Sequence, residues 1–309
     1  MSAVPGIDWR LAADVGEFLV HPGVAVDRAE AAGVVADLRV AAERAVEAVA
    51  SASLLPAPRS SEVLVVGRET WVRAATQLAR TMFEAAGQQP ASSLGAKVGA
   101  RLAGAQLGGA FAFVATRILG QFDPYTTPGR LLLVAPNIVA AERSMGVEPH
   151  GFRQWVCLHE QTHRAQFEAA PWLAAHLVQL TAELFADADE PGQAGALDEI
   201  TATMSLLEGH AEVMMDRAAP RLVPQVQVLR AAMEAHRDAF GPVQLLSRLL
   251  GLRAKREQYR HGAAFCRAVI DRAGLDTLNL AFSAAELLPH AAELHDAEQW
   301  LRRVPARVG

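Results

Sequence analysis

The sequence predicts a mainly α-helical protein with few short strands, in the α+β class, forming a single domain over residues 1–309. Apolar residues recur at helical spacing through most of the chain, which indicates amphipathic helices. Only two short apolar runs, 62–67 and 130–137, have the character of strands. The composition, 51% hydrophobic and 20% charged residues, is sufficient for a large buried core.

The N-terminal third is predicted to contain helices over 8–18 and 26–52, then a short buried strand over 62–67 and a helix from about Glu69. The stretch 94–120 is rich in Gly and Ala at spacings of four, which lets another helix approach closely. Its uncharged portion, 102–116, is too short to cross about 30 Å of hydrocarbon. We therefore expect a tightly packed core helix there and no membrane association.

The residues with the clearest chemistry are His159, Glu160 and His163, in the order His-Glu-x-x-His. In a helix, positions i and i+4 share a face, so both imidazoles can bind one metal ion while Glu160 faces the same cleft. Zinc accepts neutral imidazole nitrogen, and a catalytic site usually leaves one of its positions to water. Glu160 could then act as general base on that water. The alternative is a solvated amphipathic helix with two incidental histidines.

A third metal ligand is predicted on the long helix at about 197–218, which carries several candidates: Glu208, His210, Glu212 and Asp216. Glu208 and Glu212 share a helical face, and His210 points roughly opposite. We therefore predict Glu208 as the ligand, with Gly209 allowing close approach to the metal helix. Glu212 could accept the ring N–H of a metal-binding histidine. An exposed role for Glu208, and ligation by Glu212 or His210, remain alternatives.

Residues flanking the two helices could complete a cleft. After a turn-rich loop at 121–129, the strand at 130–137 either borders the cleft and pairs with an extended substrate, or is an ordinary core strand. Further helices are predicted at about 171–187, 224–240, 242–273 and 278–303. The basic stretch 251–262 is either a solvated helix face or brings Tyr259 to the cleft as an oxyanion donor, worth roughly 3 kcal/mol.

Charge and cysteine content restrict the partners. The net charge is −5 and no concentrated basic face is present, which argues against nucleic-acid binding. Cys157 and Cys266 form no metal-type pair, and we expect two small buried thiols in a reducing compartment. The N-terminal ten residues have no signal-peptide pattern. We expect a cytoplasmic protein, and the sequence does not determine its oligomeric state.

The segment Glu208-Gly-His-Ala resembles the third-ligand segment of the gluzincins, zinc peptidases in which a glutamate joins the two histidines of a His-Glu-x-x-His helix. The resemblance implies that His159, His163 and Glu208 bind Zn²⁺. It also implies that Glu160 is the general base and that Glu212 is the carboxylate behind a metal-binding histidine.

A resemblance to an actinobacterial zincin-like hydrolase family, also found in some chloroflexi, covers nearly the whole chain. One branch of that family is associated with coenzyme F420 biosynthesis. The matching segments are Leu131-Leu-Leu-Val-Ala-Pro-Asn137, Trp155-Val-Cys-Leu-His-Glu-Gln-Thr-His163, Pro171-Trp-Leu, Glu208-Gly-His-Ala and Lys255-Arg-Glu-Gln-Tyr259. The resemblance implies a zincin-like helical core.

These observations together predict a zinc-dependent hydrolase, specifically a metallopeptidase in which Glu160 activates a zinc-bound water. The substrate would be a peptide or a small amide. Two alternatives remain open: a non-catalytic metal-containing protein that binds a peptide or partner, and an amidohydrolase that acts on a small molecule.

Overall fold

A computed structural model describes residues 6–85, 87, 93–185, 192–223, 225–235 and 256–305, and in this part the chain is predominantly helical with a small sheet. The predicted mainly α fold class is therefore confirmed. The first half contains α1 (Trp9–Leu19), α2 (Arg28–Ser53), β1 (Glu62–Val66), α3 (Arg68–Ala85), α4 (Leu94–Ala115), β2 (Gly120–Asp123), β3 (Arg130–Val134) and α5 (Ala135–Met145). The second half contains α6 (Pro149–Ala169), α7 (Leu173–Phe185), α8 (Gly192–Leu222), α9 (Val226–Ala235), α10 (Arg256–Ala273), α11 (Leu275–Leu278) and α12 (Ala297–Arg303).

Helix α6 carries the His-Glu-x-x-His residues and lies at the centre of the molecule. The Glu148 carboxylate caps its first turn by accepting the backbone N–H groups of His150 and Gly151, at 2.9 and 2.6 Å. Pro149 at the first helical position needs no hydrogen bond for its nitrogen. The helix ends at Ala169, two residues before Pro171, which cannot continue a helix.

Helix α6 packs between α2 and α8. Leu38 of α2, Phe152 and Leu158 of α6 and Leu207 of α8 are buried in one hydrophobic cluster. Two buried α6 glutamines also donate to backbone carbonyls of α2, Gln154 to Ala41 and Gln161 to Ala42, at 3.0 and 2.9 Å. This combination of apolar packing and hydrogen-bonded polar groups holds α6 in one orientation.

The sheet has the strand order β1-β3-β2, with β1 parallel and β2 antiparallel to β3. Strand β3 lies in the middle and Leu131, Leu132 and Leu133 are buried. Because β3 is hydrogen-bonded to a strand on both sides, it cannot pair with a substrate. Of the two predicted roles for this strand, that of an ordinary core strand is therefore correct. Strand β1 is partly exposed rather than buried because it lies at one edge. Strand β2 occupies part of the expected loop.

Helix α4 packs one face closely against α1. A Cβ atom added at Gly104 or Gly108 would lie 2.4 Å from the backbone oxygen of Asp8 or Ala12 respectively, so both positions require glycine. The opposite face exposes Leu94, Val98 and Leu102, at 82, 64 and 62%. The prediction of a tightly packed helix is therefore correct for one face of α4 and wrong for the opposite face. By length and composition alone, α4 could cross a membrane, and 28% of its apolar window is buried.

The C-terminal region differs from the continuous helix predicted over 278–303. After α11 it forms 3₁₀ turns at Asn279–Phe282, Ala285–Leu287 and Glu293–His295 before α12 begins. Pro289 lacks an N–H group and interrupts a helix, and Asp296 caps the new helix through the backbone nitrogen of Glu298, at 3.1 Å. The predicted helices 224–240 and 242–273 are present as α9 and α10, and residues 236–255 lie outside the described residues.

Candidate metal centre and active site

The structure brings together the three residues predicted as metal ligands. The Nε2 atoms of His159 and His163, one turn apart on α6, are 3.1 Å apart. The Glu208 carboxylate on α8 reaches both rings, with Oε2 3.6 Å from His159 Nε2 and Oε1 3.6 Å from His163 Nε2. The three ligand atoms all lie within 4.8 Å of one another.

This arrangement fits a zinc ion. Zinc–ligand distances of about 2.0–2.1 Å in a tetrahedral site separate two ligand atoms by about 3.3 Å, close to the distances observed here. Two imidazoles and one carboxylate are also the donor set of many catalytic zinc sites. The three side chains are 14–25% exposed, so solvent has access to the remaining coordination position.

The protonation states of the site suit a cation. Burial, followed by repulsion from His163, lowers the pKa of His159 to about 3, which keeps its ring neutral at neutral pH. Burial raises the pKa of Glu208, with His163 lowering it and Glu212 raising it by smaller amounts. A divalent cation between these groups would favour the ionised carboxylate and reverse that increase.

Glu160 lies beside this cluster in a narrow space formed by β2. It is buried, and a Cβ atom added at Gly120 would lie 2.6 Å from its Cδ atom. A larger residue at position 120 would therefore displace the carboxyl group from this position. Burial, followed by repulsion from Glu208, raises the pKa of Glu160 well above its ordinary value. A carboxylate with a raised pKa is a stronger base, which suits proton transfer near neutral pH.

The outer edge of β2 runs past Glu160. Val134 donates its backbone N–H to Leu119 at 2.8 Å, which makes these two residues a hydrogen-bonded pair of the antiparallel ladder. Because such pairs alternate along the ladder, the backbone N–H and C=O groups of Gly120 and Phe122 point away from β3. In the described part of the chain, no strand pairs with this edge.

The residues behind the histidine rings differ from the prediction. The Glu212 side chain is 58% exposed, and its carboxylate accepts a hydrogen bond from Arg267 of α10 at 2.8 Å. Instead, His163 Nδ1 lies 2.9 Å from Gln166 Oε1, and His159 Nδ1 lies 3.3 Å from Met215 Sδ. The prediction for Glu212 is wrong because that carboxylate, one turn beyond Glu208, faces α10 rather than α6.

Two other residues of α8 lie near the ligand atoms, and one of them, Gly209, has a different neighbour from the one predicted. His210 is not among the clustered ligand atoms; it is buried behind the site, with Nδ1 3.0 Å from Gln166 Nε2. Burial and then His163 lower the pKa of His210 to about 3, and the Asn279 side chain raises it by a smaller amount. Gly209 contacts α10 rather than the metal helix, since a Cβ atom there would lie 2.1 Å from the Gly262 carbonyl carbon.

The other residues singled out in the sequence lie outside the cluster of ligand atoms or beyond the described side chains. Asp216 pairs with Arg230 and Arg267 and is not a ligand. Tyr259 lies in the first turn of α10, and its side chain is outside the described residues. Arg164, which follows the second histidine, points away from the site and donates to the backbone oxygen of Ser61 at 2.6 Å. Cys157 and Cys266 are both buried, as predicted.

The fold and the site are of the zincin type, in which a helical core places two histidines and a glutamate close enough together to hold one ion. The zincin-like metallopeptidase family matches residues 7–190 and 180–301, so the chain belongs to that family. The family implies a bound metal, typically zinc.

The chain is also similar to a solved structure. The crystal structure of a candidate hydrolase with a novel fold from Chloroflexus aurantiacus shares 27% sequence identity, with a TM-score of 0.78. The similarity covers 97% of this chain and 100% of that chain. No curated protein matches the chain by sequence.

Proposed function

We propose that the protein is a zinc-dependent metallopeptidase in which His159, His163 and Glu208 hold the ion and Glu160 is the general base. The observation that carries the proposal is the clustering of three ligand atoms within 4.8 Å, next to the buried Glu160 carboxyl group. Membership of the zincin-like family supports a metal-dependent hydrolase. The candidate hydrolase from Chloroflexus aurantiacus, similar over its whole length, supports the same reaction class.

Each residue has a distinct part in the proposed reaction. Zinc bound at this site would polarise the scissile carbonyl and lower the pKa of water to about 7. Glu160 accepts the proton of the attacking water and then passes it to the leaving amine. His159 and His163 would bind the ion through their Nε2 atoms, which face the Glu208 carboxylate.

An extended peptide would bind along β2. The N–H and C=O groups of Gly120 and Phe122 that point away from β3 would pair with the peptide by strand addition, the mode first predicted for β3. Because Gly120 is packed against Glu160, a peptide on this edge would have its backbone next to the general base. This position favours peptides over compact amides as substrates.

Tyr259 is the proposed oxyanion donor, because it belongs to the helix that packs against α8 at Gly209. Replacing Tyr259 with Phe should then lower kcat by about 10²-fold with zinc content unchanged. An unchanged kcat would exclude this role. The cytoplasmic location and the association with coenzyme F420 biosynthesis stay predictions.

Metal analysis of the purified protein tests the ligand set. We expect near-stoichiometric zinc in the unmodified protein, loss of zinc in His163→Ala and weakened binding in Glu208→Ala. Glu212→Ala is the matched control on α8; it should keep its zinc because that side chain pairs with Arg267. Absence of stoichiometric metal after zinc is added back would overturn the proposal.

Glu160→Gln tests catalysis separately, with a fluorogenic peptide library as substrate. The amide cannot act as a base, so hydrolysis should fall by about 10²- to 10⁴-fold while zinc content is retained. A protein that binds peptides without cleaving them, in both the unmodified and Glu160→Gln forms, would instead identify a non-catalytic binding protein. Cleavage of small amides alone would identify an amidohydrolase.

A further inference from the structure

A buried polar chain connects His163 to a second histidine behind the metal site. Gln166 lies three residues after His163 on α6 and is fully buried. Its Oε1 atom is 2.9 Å from His163 Nδ1, and its Nε2 atom is 2.9 Å from the Leu207 carbonyl oxygen and 3.0 Å from His210 Nδ1. Gln166 therefore bridges α6 and α8, the two helices that carry the ligand atoms.

The backbone oxygen of Leu207 determines the direction of every hydrogen bond in this chain. A carbonyl oxygen can only accept, so the Gln166 atom that faces it must be the amide nitrogen. The amide oxygen then faces His163 and can only accept, which requires the proton of that ring to be on Nδ1. The lone pair of His163 is consequently on Nε2, the atom 3.6 Å from Glu208 Oε1.

His210 completes the chain from the other side. The second hydrogen of the Gln166 amide points to His210 Nδ1, which must therefore be the unprotonated nitrogen of that ring. With both hydrogens of the amide engaged, by Leu207 and by His210, the Gln166 side chain cannot flip without losing two buried hydrogen bonds. His210 thus holds the Gln166 amide in place, and that amide in turn fixes the orientation of the His163 ring.

We propose that Gln166 and His210 are positioning residues that hold His163 in the tautomer and orientation required for metal binding through Nε2. The inference rests on the proposed zinc site. In the described part of the chain, the outer nitrogen of the other proposed ligand, His159, faces the weak acceptor Met215 Sδ, 3.3 Å away. The two histidines therefore differ, and His163 is the one whose geometry is set before the ion binds.

Gln161 provides a matched control on the same helix. It is equally buried and also donates to a backbone carbonyl, that of Ala42 at 2.9 Å. Its side-chain oxygen accepts from Arg164 rather than from a metal-binding ring, at 3.3 Å. Replacing either glutamine with Met removes one buried amide of the same size, and only the Gln166 change removes the acceptor for His163.

The experiment measures zinc affinity by competition with a chromophoric chelator. We expect Gln166→Met to weaken zinc binding by about 10- to 100-fold and Gln161→Met to change it by less than about threefold. Gln166→Glu should bind zinc more tightly than Gln166→Met, because a carboxylate still accepts from His163 Nδ1. If Gln166 had a purely structural role, Gln166→Glu would bind zinc less tightly than Gln166→Met, since Glu cannot donate a hydrogen bond to the Leu207 carbonyl oxygen.

Nitrogen NMR of the zinc-free unmodified protein gives a readout that needs no variant. The proposal requires His163 to be protonated on Nδ1, and an Nε2-protonated ring would overturn it. Equal zinc affinities of Gln166→Met and the unmodified protein would also overturn it. Failure of the unmodified protein to bind zinc is a different result, because it rejects the metal site itself.

Discussion

At the scale of single residues, the position of the proposed general base depends on a glycine that no motif marks. Glu160 is buried where the backbone of β2 passes it, and Gly120 leaves the space for its carboxyl group. Gly120 is the first residue of β2, and a glycine in a strand often marks the close approach of another group, here the Glu160 side chain. The position of the proposed base is thus determined by a residue on a different element.

Gly120→Ala should displace the Glu160 carboxyl group, because the new Cβ atom would lie 2.6 Å from its Cδ atom. We expect peptide hydrolysis to fall by about 10²-fold, with zinc content unchanged, since the ligands are on α6 and α8. Gly109→Ala on α4 is the control, because a Cβ atom there meets no atom within 4 Å. Equal activity of both variants would contradict the steric role of Gly120.

At the scale of elements, the site depends on how closely α8 approaches α10. Gly209 and Gly262 bring the two helices into backbone contact directly after the proposed ligand Glu208. A Cβ atom at position 209 would lie 2.1 Å from the Gly262 carbonyl carbon, and backbone cannot move aside as a flexible side chain can. The helix crossing therefore determines where the Glu208 carboxylate lies relative to α6.

Gly209→Ala should lower the free energy of unfolding by roughly 3 kcal/mol or more, because it forces α8 and α10 apart. Gly195→Ala on the same helix meets nothing within 4 Å and should raise the free energy of unfolding by about 0.4–1 kcal/mol. Urea denaturation of both variants measures the difference. Similar free energies of unfolding for the two variants would show that α8 and α10 can separate without cost.

The end of α6 is anchored to the start of β1 through Glu168. Its carboxylate accepts from the backbone N–H groups of Arg59 and Ser60, at 2.9 and 3.1 Å, and from the Ser61 hydroxyl. Burial acts to raise the pKa of Glu168, but these hydrogen bonds outweigh it and hold the pKa below its ordinary value. The ionised form is therefore the one that stabilises the fold.

Because the pKa of Glu168 is lower in the folded protein than in the unfolded chain, its stabilisation is present above about pH 4 and is lost as the pH falls further. Glu168→Gln should cost about 1–2 kcal/mol at pH 7 and progressively less below pH 4. Thermal unfolding across pH 3–7 measures this, with exposed Glu47→Gln as the control. A constant difference across that pH range would contradict the assignment.

At the scale of the whole molecule, a bound ion would link two halves of the core. Its ligands come from α6, packed on α2, and from α8, packed on α10. A ligand that binds only the folded state stabilises it by mass action. Zinc at 100 times its Kd should therefore add about 2.7 kcal/mol to the free energy of unfolding.

Chelation should accordingly lower Tm by several degrees, and added zinc should restore it. His163→Ala should show the same Tm with and without zinc, because one ligand is missing. Calorimetry with and without a chelator measures both. A zinc-dependent Tm in His163→Ala would place the ion elsewhere.

The sequence by itself determined the mainly helical fold class and the candidate ligands. Helical periodicity places His159, Glu160 and His163 on one helix, and a turn of 3.6 residues brings the two rings together whatever surrounds them. Helical spacing also favoured Glu208 over His210 as the third ligand, because the two side chains lie on opposite faces of their helix. Gln166 could have been found in this way, because it lies three residues after His163 on the metal-binding face.

Tertiary packing decided the rest, because it joins residues far apart in sequence. Gly120 contacts Glu160, and Met215 contacts His159. Arg267 donates a hydrogen bond to Glu212, which faces away from the histidine rings. No local sequence pattern predicts these contacts. Strand β2 is too short to show an alternating pattern, so the sequence did not predict it and left open whether β3 was a substrate-binding strand or a core strand. Periodicity shows which face a side chain is on, whereas the crossing of α6, α8 and α10 decides what that face meets.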